Sequence, residues 1–314
     1  MTTKIVPLVS INNNAEKSVD VSQIQLGAFR WVWGDFSLKP EEAFDLFSKS
    51  RDIGITTLDT ADVYGDYQCN KLVGSVIGQL SNERDQIQIV GKTGIRLISK
   101  HYPEIHVAHY NTESEYIYKN IRQQLIDVQT DYFDILNIHR PDYLLNPRDL
   151  VDTFEKLRTE GMVKNFGVSN FDVHQFDLLQ SECLKRGFSL VTNQIEFSIS
   201  HLNPVLDGSF SQAFKHSFRP QIWSPLGMLH KETLSEKEKR LKSKVEGVAS
   251  QIGATADQVA LSFILKHPVG GLPVLGSTKF ERIKQGAESL QIVDKLTRQH
   301  WYDIYEASNG EKVP

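Results

Sequence analysis

From residue 24 onward the sequence alternates, eight times over, between a short β-branched segment and an amphipathic helical one. The strand-like segments are 24–29, 55–59, 87–92, 132–138, 163–168, 190–195, 221–224 and 272–275. Their interiors, such as IQIVG and FDILNI, are apolar runs more than strict alternations, as expected of strands covered on both faces. Parallel strands need long crossovers, and the intervening helices supply them with one hand. Eight such units in about 270 residues count out a (β/α)8 barrel. A doubly wound sheet is the alternative, but no GxGxxG follows an early strand. No linker rich in Pro, Gly or Ser divides the chain, so 1–314 is expected to be a single barrel domain.

Helix signals support the count. Thr112-x-x-Glu115 reads as a capping box, and Asn146-Pro147 as a cap followed by an N1 proline, with Gly161 closing that helix. Asp172 caps the helix that carries Val173, Phe176 and Leu179, and Thr255-x-x-Gln258 caps another helix after Gly253 ends the one before it. Two short β-like pieces around Asn12-Asn13-Asn14 suggest a hairpin closing the barrel bottom. Two long connections, 93–111 and 226–235, leave the C-terminal ends of strands, where barrel enzymes build lids and specificity walls.

Composition narrows the function classes. Lys+Arg at 35 against Asp+Glu at 39 leaves a net charge of −4, without the basic excess that grips nucleic acid or a membrane surface. No run reaches the roughly 18 apolar residues of a membrane span, and no signal-peptide pattern is evident. The two cysteines, Cys69 and Cys183, are too few for a disulfide scaffold or a Cys-rich zinc site, so a cytoplasmic protein is expected; no exposed apolar stripe is evident, so a monomer is expected too.

A barrel predicts polar side chains where its strands end. The second strand ends at Asp59 with Tyr64 just after, the third at Lys92 and the fourth at His139. Each alone has a bland explanation: Asp59 an N-cap, Lys92 a snorkelling lysine, His139 a satisfied rim histidine, Tyr64 a turn residue. Together they suit proton donation to a carbonyl oxygen. A phenol is a weak acid near neutral pH, and a lysine beside it is expected to lower its pKa. That lysine must stay charged while buried, which requires a carboxylate, here Asp59. A neutral His139 can orient the substrate oxygen.

At these residues the sequence resembles the aldo-keto reductase superfamily across nearly its whole length. The matching segments, in order, are LGAFRW, TTLDTADVYG, IVGKTG, FDILNIHRPD, KNFGVSNF, TNQIEFS, QIWSPLG and PVLGSTKFERI. DTADVYGDYQC with HRPD looks most like a bacterial branch of general oxidoreductases. The resemblance implies a metal-free barrel that reduces a small-molecule aldehyde or ketone with NADP(H). It makes Asp59, Tyr64, Lys92 and His139 the catalytic set, with Tyr64 the general acid, and sets Asp59 beside the cofactor as well. It gives Ser169, Asn170 and Gln194 to the nicotinamide carboxamide, and Trp223 to stacking on the ring. Ser224, Leu226 and Gly227 would line the pyrophosphate path, with Gly27 and Ala28 on the ribose side. Gly276, Ser277, Thr278, Lys279 and Arg282 would surround the 2′-phosphate, since two cations and two hydroxyls suit a phosphate dianion. Two departures stand out. Gln285-Gly286 replaces a Glu-Asn pair on the adenine, leaving Gln285 as the contact, and Phe29 replaces a tryptophan near the substrate. Phe29, Trp31, Tyr64 and His139 are the expected pocket wall. The same resemblance admits a second class of function, an NADPH-binding regulatory or sensor subunit with incidental reductase activity.

Other features read more plainly. His101, His106, His109 and Glu104 match no metal-ligand spacing and read as a solvated or substrate-facing loop. Cys69 and Cys183 read as small packed residues, and the mixed charges of 231–244 as a solvated helix start. The strip 301–305 reads as a tail helix near the barrel, bordering the pocket.

Overall fold

The computed structural model describes residues 4–12 and 19–314; Asn13 and Asn14 of the expected hairpin turn lie outside the described residues. Eight parallel strands close into a barrel: β1 (Gln25–Gly27), β2 (Thr57–Asp59), β3 (Gln88–Thr93), β4 (Phe133–Ile138), β5 (Val163–Ser169), β6 (Asn193–Glu196), β7 (Gln221–Trp223) and β8 (Leu272–Leu275). Each pairs with its sequence neighbour, and β8 returns to β1 through Val274 opposite Gln25. All eight expected strands are present. β6 is continuous from Asn193, later than expected, although the buried stretch before it already bonds to β5: Val191 N donates to Phe166 O at 2.8 Å and Val168 N to Thr192 O at 3.0 Å.

The barrel interior is layered. At the bottom Val90, Ile135, Val191 and Leu272 form a separate apolar cluster with Ile11 and Val21 from the N-terminal hairpin, Leu8–Ser10 against Asp20–Ser22. The hairpin is fastened there by reciprocal bonds between Ser22 and Thr57, at 2.8 and 3.1 Å. Above lies an amide layer: Asn137 donates to Gln221 (3.1 Å), which donates to Gln25 (2.6 Å). Side chains on a strand alternate faces. Val90 pointing inward therefore puts Lys92 inward too, and Ile135 with Asn137 continues the row to His139. Strand period alone carries these polar groups to the top of the barrel.

The main helical shell comprises α1 (Pro40–Asp52), α2 (Cys69–Ile77), α3 (Ser114–Val128), α4 (Pro147–Thr159), α5 (Val173–Lys185), α6 (Ser209–Lys215), α7 (Glu236–Ile252), α8 (Ala256–Leu265), α9 (Phe280–Ala287) and α10 (Arg298–Asn309). Helix α4 starts as its sequence dictates: Asn146 accepts from the Arg148 amide at 3.1 Å and Pro147 sits at N1. Its buried Phe154 stacks on Phe166 of β5 at 4.2 Å. Burying each such ring contributes about 1.5–3 kcal/mol. Capping boxes open α5 at Asp172 and Gln175, and α8 at Thr255 and Gln258.

Two expectations fail locally. Thr112 does not cap α3; the helix begins after Glu113, because Asp142 accepts both the Thr112 amide (3.0 Å) and its hydroxyl (2.8 Å). The tail strip does form a helix, α10, but away from the rim. Trp301 stacks on Phe263 of α8 at 4.6 Å and donates to its carbonyl at 3.0 Å. That end of α8 leads into the start of β8, on the side opposite the strands' C-terminal ends. Among the described residues no single helix is long and apolar enough to cross a membrane.

Candidate active site

The C-terminal ends of β2, β3 and β4 bring the four expected residues together. Lys92, fully buried, donates to Asp59 Oδ1 at 2.5 Å, to the Thr60 carbonyl at 3.0 Å and to the Tyr64 hydroxyl oxygen at 3.0 Å. All three ammonium protons are thereby directed. Asp59 is held from its other side, where Gln194 of β6 donates to Oδ2 at 2.7 Å. Removing one partner of such a buried pair strands the other charge, a loss of about 3–5 kcal/mol. The Tyr64 ring stands edge-on to Phe29 at 4.9 Å and to His139 at 5.7 Å.

The electrostatics qualify the expected tuning. Burial dominates at Tyr64 and pushes its pKa up to about 12; Lys92 acts in the opposite direction but Asp59 offsets part of its field. The expected net acidification is therefore absent, and the phenol is firmly protonated. Its proton is available when charge develops on an acceptor. Burial also works against the Lys92 ammonium, yet Asp59 and Tyr64 outweigh it and raise its pKa. Burial, with Lys92 and Arg140, holds His139 well below the ordinary histidine range, so the imidazole is neutral.

Across the rim, the amides and hydroxyls of β5 and β6 interlock. Ser169 donates its hydroxyl to the Gln194 carbonyl at 2.8 Å, and Asn170 donates to His139 O (3.1 Å) and Ser169 Oγ (3.0 Å). Trp223 at the end of β7 donates its indole N–H to Asn170 Oδ1 at 3.0 Å. Gln194 Oε1 takes no hydrogen bond among the described residues. Asn170 and Ser224 both have left-handed backbone, at φ 61° and 50°, a strain that non-glycine residues carry where surroundings impose it. Gly227 N donates to the Ser224 carbonyl at 2.9 Å in the turn that includes Leu226.

Past β8, Gly276, Ser277 and Thr278 lead to Lys279, which precedes α9. Ser277 accepts from the Lys279 amide at 3.1 Å and donates to its carbonyl at 3.3 Å. Lys279 and Arg282 are exposed, and neither forms an ion pair among the described residues. Two unpaired cations beside two hydroxyls fit a phosphate dianion. Gln285 is half-buried one residue before Gly286, which packs closely: a Cβ there would stand 2.7 Å from Leu275 Cδ1, so that side chain would have to shift.

The pocket wall departs from expectation at one tryptophan. Trp31 is fully buried in the main core. A hairpin, Val32–Trp33 against Phe36–Ser37, turns the next tryptophan outward instead. Trp33 is exposed and meets Phe29 at 4.8 Å. Gly27 and Ala28 are buried at the β1 end, where the Ala28 carbonyl accepts from Cys69 Sγ at 3.3 Å. Cys69 is packed, as read; burial pushes its thiol up to about 12. In the histidine loop, His101 Nε2 lies 3.1 Å from Gln68 Nε2 of the segment after Tyr64, and His109 Nδ1 2.8 Å from Val107 O. Among the described residues, no three His, Cys, Asp or Glu side chains group to hold a metal ion. The sequence did not disclose Thr60 as an ammonium acceptor, nor the Gln194–Asp59 link, since both arise from barrel closure.

Comparison with known proteins agrees with this geometry. Residues 23–309 match the aldo/keto reductase family. The chain is 37% identical over 287 residues to the oxidoreductase YcsN of Bacillus subtilis, covering 90% of this chain and 94% of that one. It is 32% identical over 295 residues to the 6-dehydroglucose reductase of Agrobacterium fabrum, covering 94% and 97%. In fold it is similar to the thermostable aldo-keto reductase Tm1743, with a TM-score of 0.77, 22% identity, and coverage of 96% and 99%.

Proposed function

The chain belongs to the aldo/keto reductase family, and on that premise we propose that it reduces aldehydes or ketones to alcohols with NADPH, with Tyr64 as proton donor. The observation that carries this reading is the Lys92 ammonium, directed at once to Asp59 and the Tyr64 hydroxyl. When bound, the nicotinamide cofactor supplies a hydride to the carbonyl carbon. Tyr64 releases its proton to the carbonyl oxygen, and the Lys92 charge at 3.0 Å stabilises the phenolate left behind. Neutral His139 orients the substrate oxygen without competing for that proton. Lys279, Arg282, Ser277 and Thr278 would hold the 2′-phosphate, and Gln285 would reach the adenine. Gln194 Oε1, Ser169 and Asn170 would hold the carboxamide, beside Trp223. Ser224, Leu226 and Gly227 would follow the pyrophosphate, with Gly27 and Ala28 near the ribose.

Phe29 and Trp33, exposed after β1 and in contact at 4.8 Å, give the rim an apolar face beside Tyr64. It favours carbonyls with an apolar body over hydrophilic sugars, the class that the name of the Agrobacterium relative implies for that protein. A monomeric cytoplasmic enzyme is the setting this reading assumes. The test is turnover of 4-nitrobenzaldehyde with NADPH against NADH. Many cycles per enzyme with NADPH preferred supports the reading. A single burst per bound cofactor supports a regulatory NADPH-binding role, and a preference for NADH contradicts the assignment of Lys279 and Arg282.

A further inference from the structure

The segment after Tyr64 has an unusual backbone. Gly65, Asp66 and Tyr67 all have positive φ, at 59°, 52° and 65°. Glycine adopts this region freely, but the next two carry a Cβ and are disfavoured there. Such a run persists only where surroundings over-determine it. On one side the turn presses on the β1 loop, where a Cβ on Gly65 would stand 2.5 Å from Val32 Cβ. On the other it meets the 95–110 segment. Tyr67 is buried, its hydroxyl oxygen accepts from the Leu97 amide at 2.8 Å, and its ring meets Tyr102 at 4.6 Å. That segment is itself braced. Ile95 and Arg96 pair with Tyr110 and His109. Arg96 lies 4.5 Å from the Tyr102 ring and 5.2 Å from the Tyr116 ring, and donates to Glu104 at 2.9 Å.

The Tyr64 ring packs against Phe29 and His139, while the aim of its hydroxyl is set by that group's own bond and by the backbone. Among the described residues its hydroxyl has one hydrogen-bond partner, Lys92. Its carbonyl accepts from the Cys69 amide across the turn at 3.1 Å, so the path of the turn sets where the ring emerges. Upstream the chain is fixed where the Asp62 amide donates to the Lys92 carbonyl at 3.3 Å. Downstream the fixed point is Tyr67.

We infer that Tyr67 is a positioning residue for proton transfer: anchored on Leu97 and Tyr102, it holds the left-handed turn that aims the Tyr64 hydroxyl at Lys92. The 95–110 segment, which follows β3 at its C-terminal end, is by the same contacts the brace of the proton donor. The inference rests on the reading of Tyr64 as that donor.

Three variants test it. Tyr67→Gly makes the left-handed backbone easy but removes the anchor. Tyr67→Phe keeps the ring and deletes only the acceptor for the Leu97 amide. Asp66→Gly relieves strain and leaves the anchor alone. For 4-nitrobenzaldehyde reduction, Tyr67→Gly should lose kcat by about tenfold or more, as a displaced reacting group does. Its solvent deuterium isotope effect on kcat should rise above that of the wild type, because proton transfer becomes limiting. NADPH affinity should stay within about twofold, Tyr67→Phe should recover most of the rate, and Asp66→Gly should match the wild type. Hydrogen exchange supplies a readout independent of activity: the 61–70 amides should exchange faster in Tyr67→Gly. A Tyr67→Gly enzyme with wild-type kcat, or one slowed with no rise in the isotope effect, overturns the inference, as does unchanged exchange. A wild type that reduces no carbonyl at all would instead defeat the proposed function, while the exchange result would still report on the turn.

Discussion

The two sides of the catalytic rim are built differently. On the β2–β4 side, Asp59 and Lys92 are buried, paired and hydrogen-bonded from several directions, with Tyr64 packed between two rings. On the β8–α9 side, Lys279 and Arg282 stand exposed without ion pairs among the described residues. Chemistry that depends on a charge in a dry site needs its geometry fixed beforehand, since reorganising buried groups during reaction is costly. A phosphate grip does not; long cations on the surface can close on an anion when it arrives. Under the proposed function, rate belongs to one side and affinity to the other.

The largest test of that division is Lys92→Met. It leaves Asp59 buried without its cation and Tyr64 without its stabilising charge. Turnover should fall by about 10²–10⁴-fold, the usual range for losing acid–base function, while NADPH affinity stays within a few-fold. Steady-state rates and a fluorescence titration of cofactor check both. Equal losses in the two would move Lys92 to the binding side and erase the contrast. Next in size is Lys279→Ala with Arg282→Ala. Each charge-assisted contact is worth about 1.5–3 kcal/mol, so each substitution should raise KM for NADPH about tenfold to a hundredfold, with kcat and the NADH reaction nearly unchanged. A fall in kcat would show that the open side is not merely a grip.

The smallest effect concerns Asp62, a buried carboxyl beneath the β2 loop whose Oδ1 accepts from Val63 N at 2.8 Å. Burial pushes its pKa up to about 7 from 3.8. A carboxyl raised on folding favours the native state fully below the unfolded value, and this contribution is lost as pH rises through about 7. Asp62→Asn, uncharged at every pH, should therefore raise the melting temperature by several degrees at pH 8 and by less at pH 5. Thermal melts at the two pH values check this. An equal shift at both would mean that Asp62 is already ionised in the native protein at pH 5 and that folding does not raise its pKa.

What could be read in the sequence follows the same physics. The eight strands were legible because covered strands are apolar on both faces, and the row Val90, Lys92 and Ile135, Asn137, His139 follows from strand period alone. Asn146, Asp172 and Thr255 were legible as caps because their partners lie two or three residues away. Thr112 was not, because Asp142, thirty residues on, competes for it. Trp31 and Trp33 differ in fate through a two-strand hairpin whose Gly34-Asp35 turn is legible in the sequence, while the direction in which it turns each indole is not. The rise in Tyr64's pKa was missed because burial, unlike the charge of Lys92, belongs to the assembled barrel. The left-handed Tyr67 is likewise set by contacts from another segment.

The central claim is that the buried Tyr64 hydroxyl is the proton donor. It is tested most directly by the rate of 4-nitrobenzaldehyde reduction by Tyr64→Phe at saturating NADPH, with cofactor affinity measured on the same sample. A loss of about 10²-fold or more with affinity unchanged is predicted. A loss of less than about tenfold would contradict the claim, since a general acid contributes more than that.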